Sequence, residues 1–262
     1  MKKLYVAIAV LLVIFACKPQ HQSANNARKQ KETWVFIMAG QSNMAGRGIV
    51  EAQDTITNAR ILTINNQNQI VKAKEPIHFY EPNLKGVDCG LSFAQTLTKS
   101  LHDNITILLI PTAVGGSSSR QWLGDSVHRN VKLLSNFKEK VAFAKTQGII
   151  KGILWHQGES DANAKAIPLY NDNLTKLFGI FRKEVGDLKL PILIGELGAY
   201  SKTPTEWNAI NEIIKQYVAN DPNSYLISTI DLTHKGDFIH FNSEGQRLIG
   251  QRFAETYLKS VK

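Results

Sequence analysis

The chain has 262 residues, of which 43% are hydrophobic and 20% charged, and carries a formal net charge of +9 at pH 7. That length is within the range of one α/β domain and is enough to bury a large core. The lysines and arginines are scattered rather than clustered, which argues for solubility or attraction to anionic surfaces and against a nucleic-acid partner.

Lys2 and Lys3 precede an uncharged apolar run from Leu4 to Ala16. The run fits an export signal and falls short of the roughly 20 residues that a membrane span needs. It stops at Ile14-Phe15-Ala16-Cys17, which resembles the lipobox of bacterial lipoproteins. The resemblance implies that residues 1–16 are a signal peptide and that Cys17 is acylated, giving a lipid-anchored protein of the bacterial cell envelope, on its periplasmic or outer face. Residues 17–32 are polar, without apolar periodicity, and are expected to form a flexible tether. The folded domain is expected over residues 33–262. Cys89 is then the only other cysteine, so no intrachain disulfide forms in the mature protein, and Cys89 is expected in the core.

In chain order, β-branched apolar runs at Val35–Met38, Ile105–Ile110, Gly152–Trp155, Ile192–Gly195 and Tyr225–Ser228 predict strands buried on both faces. Residues 60–74 predict a short hairpin turning at Asn65–Asn68. Helical spacing links Phe93, Leu97 and Leu101, then Val127, Val131, Leu134, Phe137, Val141 and Ala144, then Tyr170, Leu174, Leu177, Phe181 and Val185. Thr203-Pro204-Thr205-Glu206 predicts a capped helix start, as does Ser243 with Gln246. The alternation implies a three-layer α/β/α sandwich with a mainly parallel, flavodoxin-like central sheet. Reactive groups are then expected on loops at the carboxyl ends of its strands.

Four such loops carry chemistry. Gly40-Gln41-Ser42-Asn43-Met44 presents Ser42 where the first strand ends, a candidate nucleophile. Thr112 to Ser119 contains Gly115 and Gly116, whose backbone N–H groups suit an oxyanion hole. Trp155-His156-Gln157-Gly158-Glu159-Ser160-Asp161 offers Gln157 as a further donor, with Glu159 and Asp161 orienting the loop or capping the next helix. Ser160 is the decoy nucleophile, because its surroundings are not those of a nucleophile elbow. In Asp231 to Asn242, Asp237 stands three residues before His240, a spacing that lets the carboxylate reach Nδ1 and leave Nε2 for the serine. Asp231 and His234 are rivals for those roles. The histidines form no H-E-x-x-H pair, so neither metal nor cofactor is expected.

Taken together, G-Q-S-N-M at Gly40–Met44, W-x-Q-G-E at Trp155–Glu159 and D-x-x-H at Asp237–His240 resemble the SGNH hydrolase superfamily. Within it they resemble the branch of sialate O-acetylesterases and carbohydrate esterase family six acetyl xylan esterases. The resemblance spans the mature domain. It implies a Ser42–His240–Asp237 triad and oxyanion donors from the Ser42 backbone, Gly115 or Gly116, and Gln157. Gln41, Asn43 and Glu159 then support the site. Gln157 stands where the wider superfamily usually has asparagine, which favours the sugar-esterase branch. The implied activity is removal of O-acetyl groups from carbohydrates through an acetyl-serine. A lipase or thioesterase of the same superfamily and a non-catalytic glycan-binding lipoprotein are the alternatives. The partner is an acetylated sugar, on a platform that Trp122, Arg120, Tyr200 and Trp207 can build. The oligomeric state is left open.

Overall fold

A largely β-branched and aromatic run that opens on Glu32 and ends in glycine forms β1, Glu32–Gly40, at the heart of a seven-stranded sheet. The computed structural model describes Met1 and residues 31–261. The expected signal segment, Cys17 and most of the tether lie outside the described residues. The chain divides into two units, Met1–Gln30 and Lys31–Lys262, and the architecture is that of the second.

After β1 and the short helix α1 (Ser42–Ala45) comes a hairpin of β2 (Ile61–Ile64) and β3 (Ile70–Lys72), as its turn residues predict. Helix α2 (Gly90–Ser100) leads into β4 (Ile105–Pro111), and α3 (Ser119–Leu123) follows. A small hairpin of β5 (Val127–His128) and β6 (Val131–Lys132) precedes α4 (Leu133–Gln147). Then come β7 (Ile149–His156), α5 (Ile167–Val185), β8 (Ile192–Gly195), α6 (Pro204–Asn220), β9 (Ser224–Ile227) and α7 (Ser243–Ser260).

The strand order is β3-β2-β4-β1-β7-β8-β9, parallel throughout except β3. Without the hairpin strands, the five that remain, β4-β1-β7-β8-β9, run second-first-third-fourth-fifth, the flavodoxin-like order. The two-residue period of β1 explains the three layers. Val35, Ile37 and Ala39 face one core with residues of α4, α5 and α6, whereas Phe36 and Met38 face a second core with residues of α2 and α7. The first core is an aromatic nest in which Phe137 and Phe181 stack 3.9 Å apart and Trp122 meets Trp155 edge-on at 5.6 Å. Connections switch face at β1, so a crevice opens beyond its carboxyl end, where ligands of such sheets bind.

Three local expectations differ from the structure. Val127 and Val131 belong to the β5–β6 hairpin, because Arg129 (φ 48°) and Asn130 (φ 64°) make a left-handed two-residue turn that breaks the helical period. Thr203 makes no side-chain cap, since its hydroxyl meets Ser201, although Pro204 does open α6. Asn242 rather than Ser243 caps α7, accepting from the Gly245 N–H at 2.7 Å, which leaves the Ser243 hydroxyl to donate to the Ile49 carbonyl.

Candidate active site

The crevice is shaped first by Gly40. Its φ is +135°, and a Cβ there would stand 2.1 Å from the His156 carbonyl oxygen, so only glycine lets β1 and β7 close up where they end. The chain then turns and Ser42 opens α1, nearly buried. As a first helical residue, Ser42 has a backbone N–H without an intrahelical acceptor. Gln41 ties this turn to the β7 loop: its Oε1 accepts from Gln157 Nε2 and from the Ser160 N–H, each at 3.2 Å.

The loop after β9 brings the base. Gly236 (φ +115°) and Phe238 (φ +61°) bend it tightly. Asp237 Oδ1 then accepts the N–H groups of Ile239 (3.0 Å) and His240 (2.8 Å), and Oδ2 meets His240 Nδ1 at 2.7 Å. Partial burial works to raise the Asp237 carboxyl, but the hydrogen bonds from His240 and Ile239 prevail and hold it at about 2. An anionic Asp237 fixes the proton on Nδ1. Nε2 is left facing the Ser42 hydroxyl at 3.0 Å. The rivals are engaged elsewhere. His234 Nδ1 accepts from the Gly236 and Phe238 N–H groups, and Asp231 pairs with Arg252 through both oxygens.

Asn43 joins these two loops. It donates through Nδ2 to Glu159 Oε1 (2.5 Å) and to the Ile239 carbonyl (3.0 Å) and accepts the Phe241 N–H at 3.1 Å. Glu159 is buried, with His156 Nδ1 3.7 Å away. Burial holds His156 below the usual imidazole range, and its Nε2 donates to the Glu196 carbonyl.

The glycine pair divides. Gly115 N–H donates to Glu81 Oε2 at 2.6 Å, and Glu81 in turn pairs with the buried Arg47 at 2.7 Å. Gly116 (φ +75°) has no backbone partner for its N–H among the described residues. Its loop is anchored next to the serine turn by the Val114 N–H and the Ser117 hydroxyl, both donating to the Gly40 carbonyl.

Gln157 departs from expectation. Its Nε2 is buried among three acceptors, Gln41 Oε1 (3.2 Å), the Ser117 carbonyl (3.2 Å) and Asp161 Oδ2 (2.5 Å), and its Oε1 has no partner. Both amide hydrogens are therefore committed within the protein, because a buried carboxylate four residues on is a stronger acceptor than an open crevice. Burial raises the Asp161 carboxyl, while hydrogen bonds from Ser119 and Gln157 work to lower it.

The proposed sugar platform also changes. Trp122 is wholly buried, with Nε1 donating to Ser117 Oγ at 2.9 Å, so it is a core residue and not a surface for ligand. Trp207 is buried, but it lines a cleft of about 320 Å³ with Glu159, Lys202, Asp237, Phe238 and Ile239. Tyr200 packs between Trp207, His234 and Phe241, and Arg120 lies exposed on α3. Sequence reasoning missed Arg47, Glu81 and Arg129, whose only local signal is charge.

The family of carbohydrate esterases described as sialic acid-specific acetylesterases matches residues 32–259. A probable carbohydrate esterase of Arabidopsis thaliana is 29% identical over 247 residues, 86% of this chain and 90% of that protein. A solved structure from Arabidopsis thaliana superposes with a TM-score of 0.75 at 26% identity, over 86% of this chain and 98% of the other. NanS superposes with a TM-score of 0.73 at 17% identity, over 88% and 98%. A carbohydrate acetylesterase of Xanthomonas citri does so at 0.62 and 19%, over 85% of this chain and 55% of that one. The last two likenesses are of fold. With the family matched along nearly the whole described domain, the chain belongs to the sialic acid-specific acetylesterase family of carbohydrate esterases.

Proposed function

We propose that the chain is a serine esterase that removes O-acetyl groups from carbohydrates through an acetyl-serine. The observation that carries the reading is the unbroken line from Ser42 Oγ to His240 Nε2 (3.0 Å) and from His240 Nδ1 to Asp237 Oδ2 (2.7 Å). Ser42 Oγ attacks the acetyl carbonyl as His240 Nε2 takes its proton, and Asp237 stabilises the imidazolium. The carbonyl oxygen, now negative, is held by the N–H groups of Ser42 and Gly116. His240 returns the proton to the departing sugar oxygen. Water, deprotonated by His240, then attacks the acetyl-serine and releases acetate. Gln157 acts at one remove by holding Gln41, the Ser117 carbonyl and Asp161 in place. The same sequence that suggests export suggests lipid attachment at Cys17, and a Cys17→Ser variant that still takes up labelled fatty acid would overturn that reading.

Acetate release from p-nitrophenyl acetate and from acetylated sugars, with Ser42→Ala alongside, tests the proposal. Release that disappears in the variant is the expected result. Equal release by both proteins would remove Ser42 as nucleophile.

A further inference from the structure

The turn that carries Asp237 is the tip of a short stem. The Lys235 N–H donates to the His240 carbonyl at 2.9 Å and the Asn242 N–H to the Thr233 carbonyl at 3.1 Å, which leaves Gly236, Asp237, Phe238 and Ile239 to close it. Phe238 stands at φ +61°, a region that a side chain other than glycine disfavours. Local preference therefore works against this tip, and its shape depends on what its backbone groups find as partners.

Two side-chain acceptors divide the tip. Asp237 Oδ1 takes the N–H groups of Ile239 and His240, while His234 Nδ1 takes those of Gly236 (2.9 Å) and Phe238 (3.2 Å). Both partners of Nδ1 are amide donors, so Nδ1 presents its lone pair and the ring proton lies on Nε2. The ring is fixed along with the atom, since it stacks on Phe238 at 4.2 Å and meets Tyr200 at 5.1 Å. His234 thus grips the residues on either side of Asp237, whose Oδ2 must stay 2.7 Å from His240 Nδ1.

A proton on His234 Nδ1 would turn the acceptor into a donor facing two donors, and both bonds would be lost. The ionisable groups around the ring are Lys235, Asp237 and His240 in its own loop, Tyr200 and Lys202 from the loop before α6, and Glu159 from the β7 loop, across the cleft that Asp237 and Phe238 line. Burial holds the Tyr200 hydroxyl above its usual range, and Asp237 is held at about 2 by its hydrogen bonds, so neither changes charge on the acid side where enzyme activity is measured.

We infer that His234 is a positioning residue: with Nδ1 unprotonated it holds the turn that aims Asp237 at His240, and protonation there releases the turn. The inference rests on the esterase reading above, in which Asp237 orients the base.

The test measures kcat, KM and the acid limb of kcat/KM for acetate release from p-nitrophenyl acetate, in the full chain, His234→Asn and His234→Phe. Asparagine sets a carboxamide oxygen close to the place of Nδ1 and does not ionise, whereas phenylalanine keeps the stack on Phe238 and has no acceptor. His234→Phe should lose about ten- to a hundred-fold in kcat with KM little changed, as expected for a displaced base, and His234→Asn should stay within a few-fold of wild type. Wild-type activity should fall on the acid side with two protonations, those of His240 and His234, and that of His234→Asn with one. Wild-type kcat in His234→Phe, or equal losses in the two variants, would overturn the inference. So would acid limbs of equal steepness in the wild type and His234→Asn, a comparison that decides the matter even if His234→Phe does not fold. Absence of Ser42-dependent release by the wild type would instead overturn the esterase reading.

Discussion

Asn43 Oδ1 accepts the backbone N–H of Phe241 at 3.1 Å, so the residue after the serine holds the residue after the histidine. The two are 198 positions apart in sequence, and this bond, with the Asn43 donation to the Ile239 carbonyl, sets the Ser42–His240 distance. Asn43→Asp loses both amide donations and sets a second carboxylate against Glu159. Because misplacement by about 1 Å costs on the order of 10²-fold in rate, kcat should fall ten- to a hundred-fold with KM little changed. Steady-state kinetics check this, and a change confined to KM would show that Asn43 does not position the base.

Asp237→Asn should lower kcat by about 10⁴, the loss seen when the orienting carboxylate of a serine-protease triad is replaced. The wild-type pH profile follows from the same carboxylate. Asp237 is held at about 2, below its unfolded value of about 3.9. Its ion pair is therefore present above the unfolded value and is lost only as pH falls through about 2. Protonation of Asp237 should then contribute nothing to the acid limb of kcat/KM above pH 4. An ionisation between pH 4 and 6 that disappears in Asp237→Asn would contradict this.

Gln157→Leu separates a donor to the reacting oxygen from a residue that holds the loops. It removes one hydrogen bond each from Gln41 and Asp161, which keep those from Ser160 and Ser119, and leaves the Ser117 carbonyl without the amide that donates to it. Leaving a buried acceptor unpaired costs about 1–3 kcal/mol, so thermal stability should fall together with activity. Loss of kcat at unchanged melting temperature would favour the direct-donor role.

Glu75 lies away from the site, buried with one oxygen unpartnered. Burial, then the nearby Asp88, pushes its carboxyl well above the usual range. For a raised carboxyl, stability is fully present below the unfolded value and lost as pH rises towards the folded one. Glu75→Gln removes that loss, so its melting temperature relative to wild type should rise between pH 5 and pH 8. Parallel curves across that interval would show that Glu75 is not a buried acid.

The sequence by itself determined the two-faced strands, the order of helices and strands, the Asn65–Asn68 hairpin and the loops that hold Ser42, Gln157, Asp237 and His240. Those features are legible because periodicity and turn chemistry act over a few neighbouring residues. Asp237 and His240, three apart, pair within one turn for the same reason. Tertiary structure alone decided which donors remain open. Gly115 and Gly116 are equivalent in sequence, yet Glu81, 34 residues earlier, occupies the first N–H and leaves the second. Gln157 reads as a free amide until the fold brings Gln41 and Ser117 against it. Trp122 reads as a surface aromatic until Phe137, Trp155 and Phe181 enclose it. Whether a polar group is available depends on partners brought from distant parts of the chain, and only packing selects them.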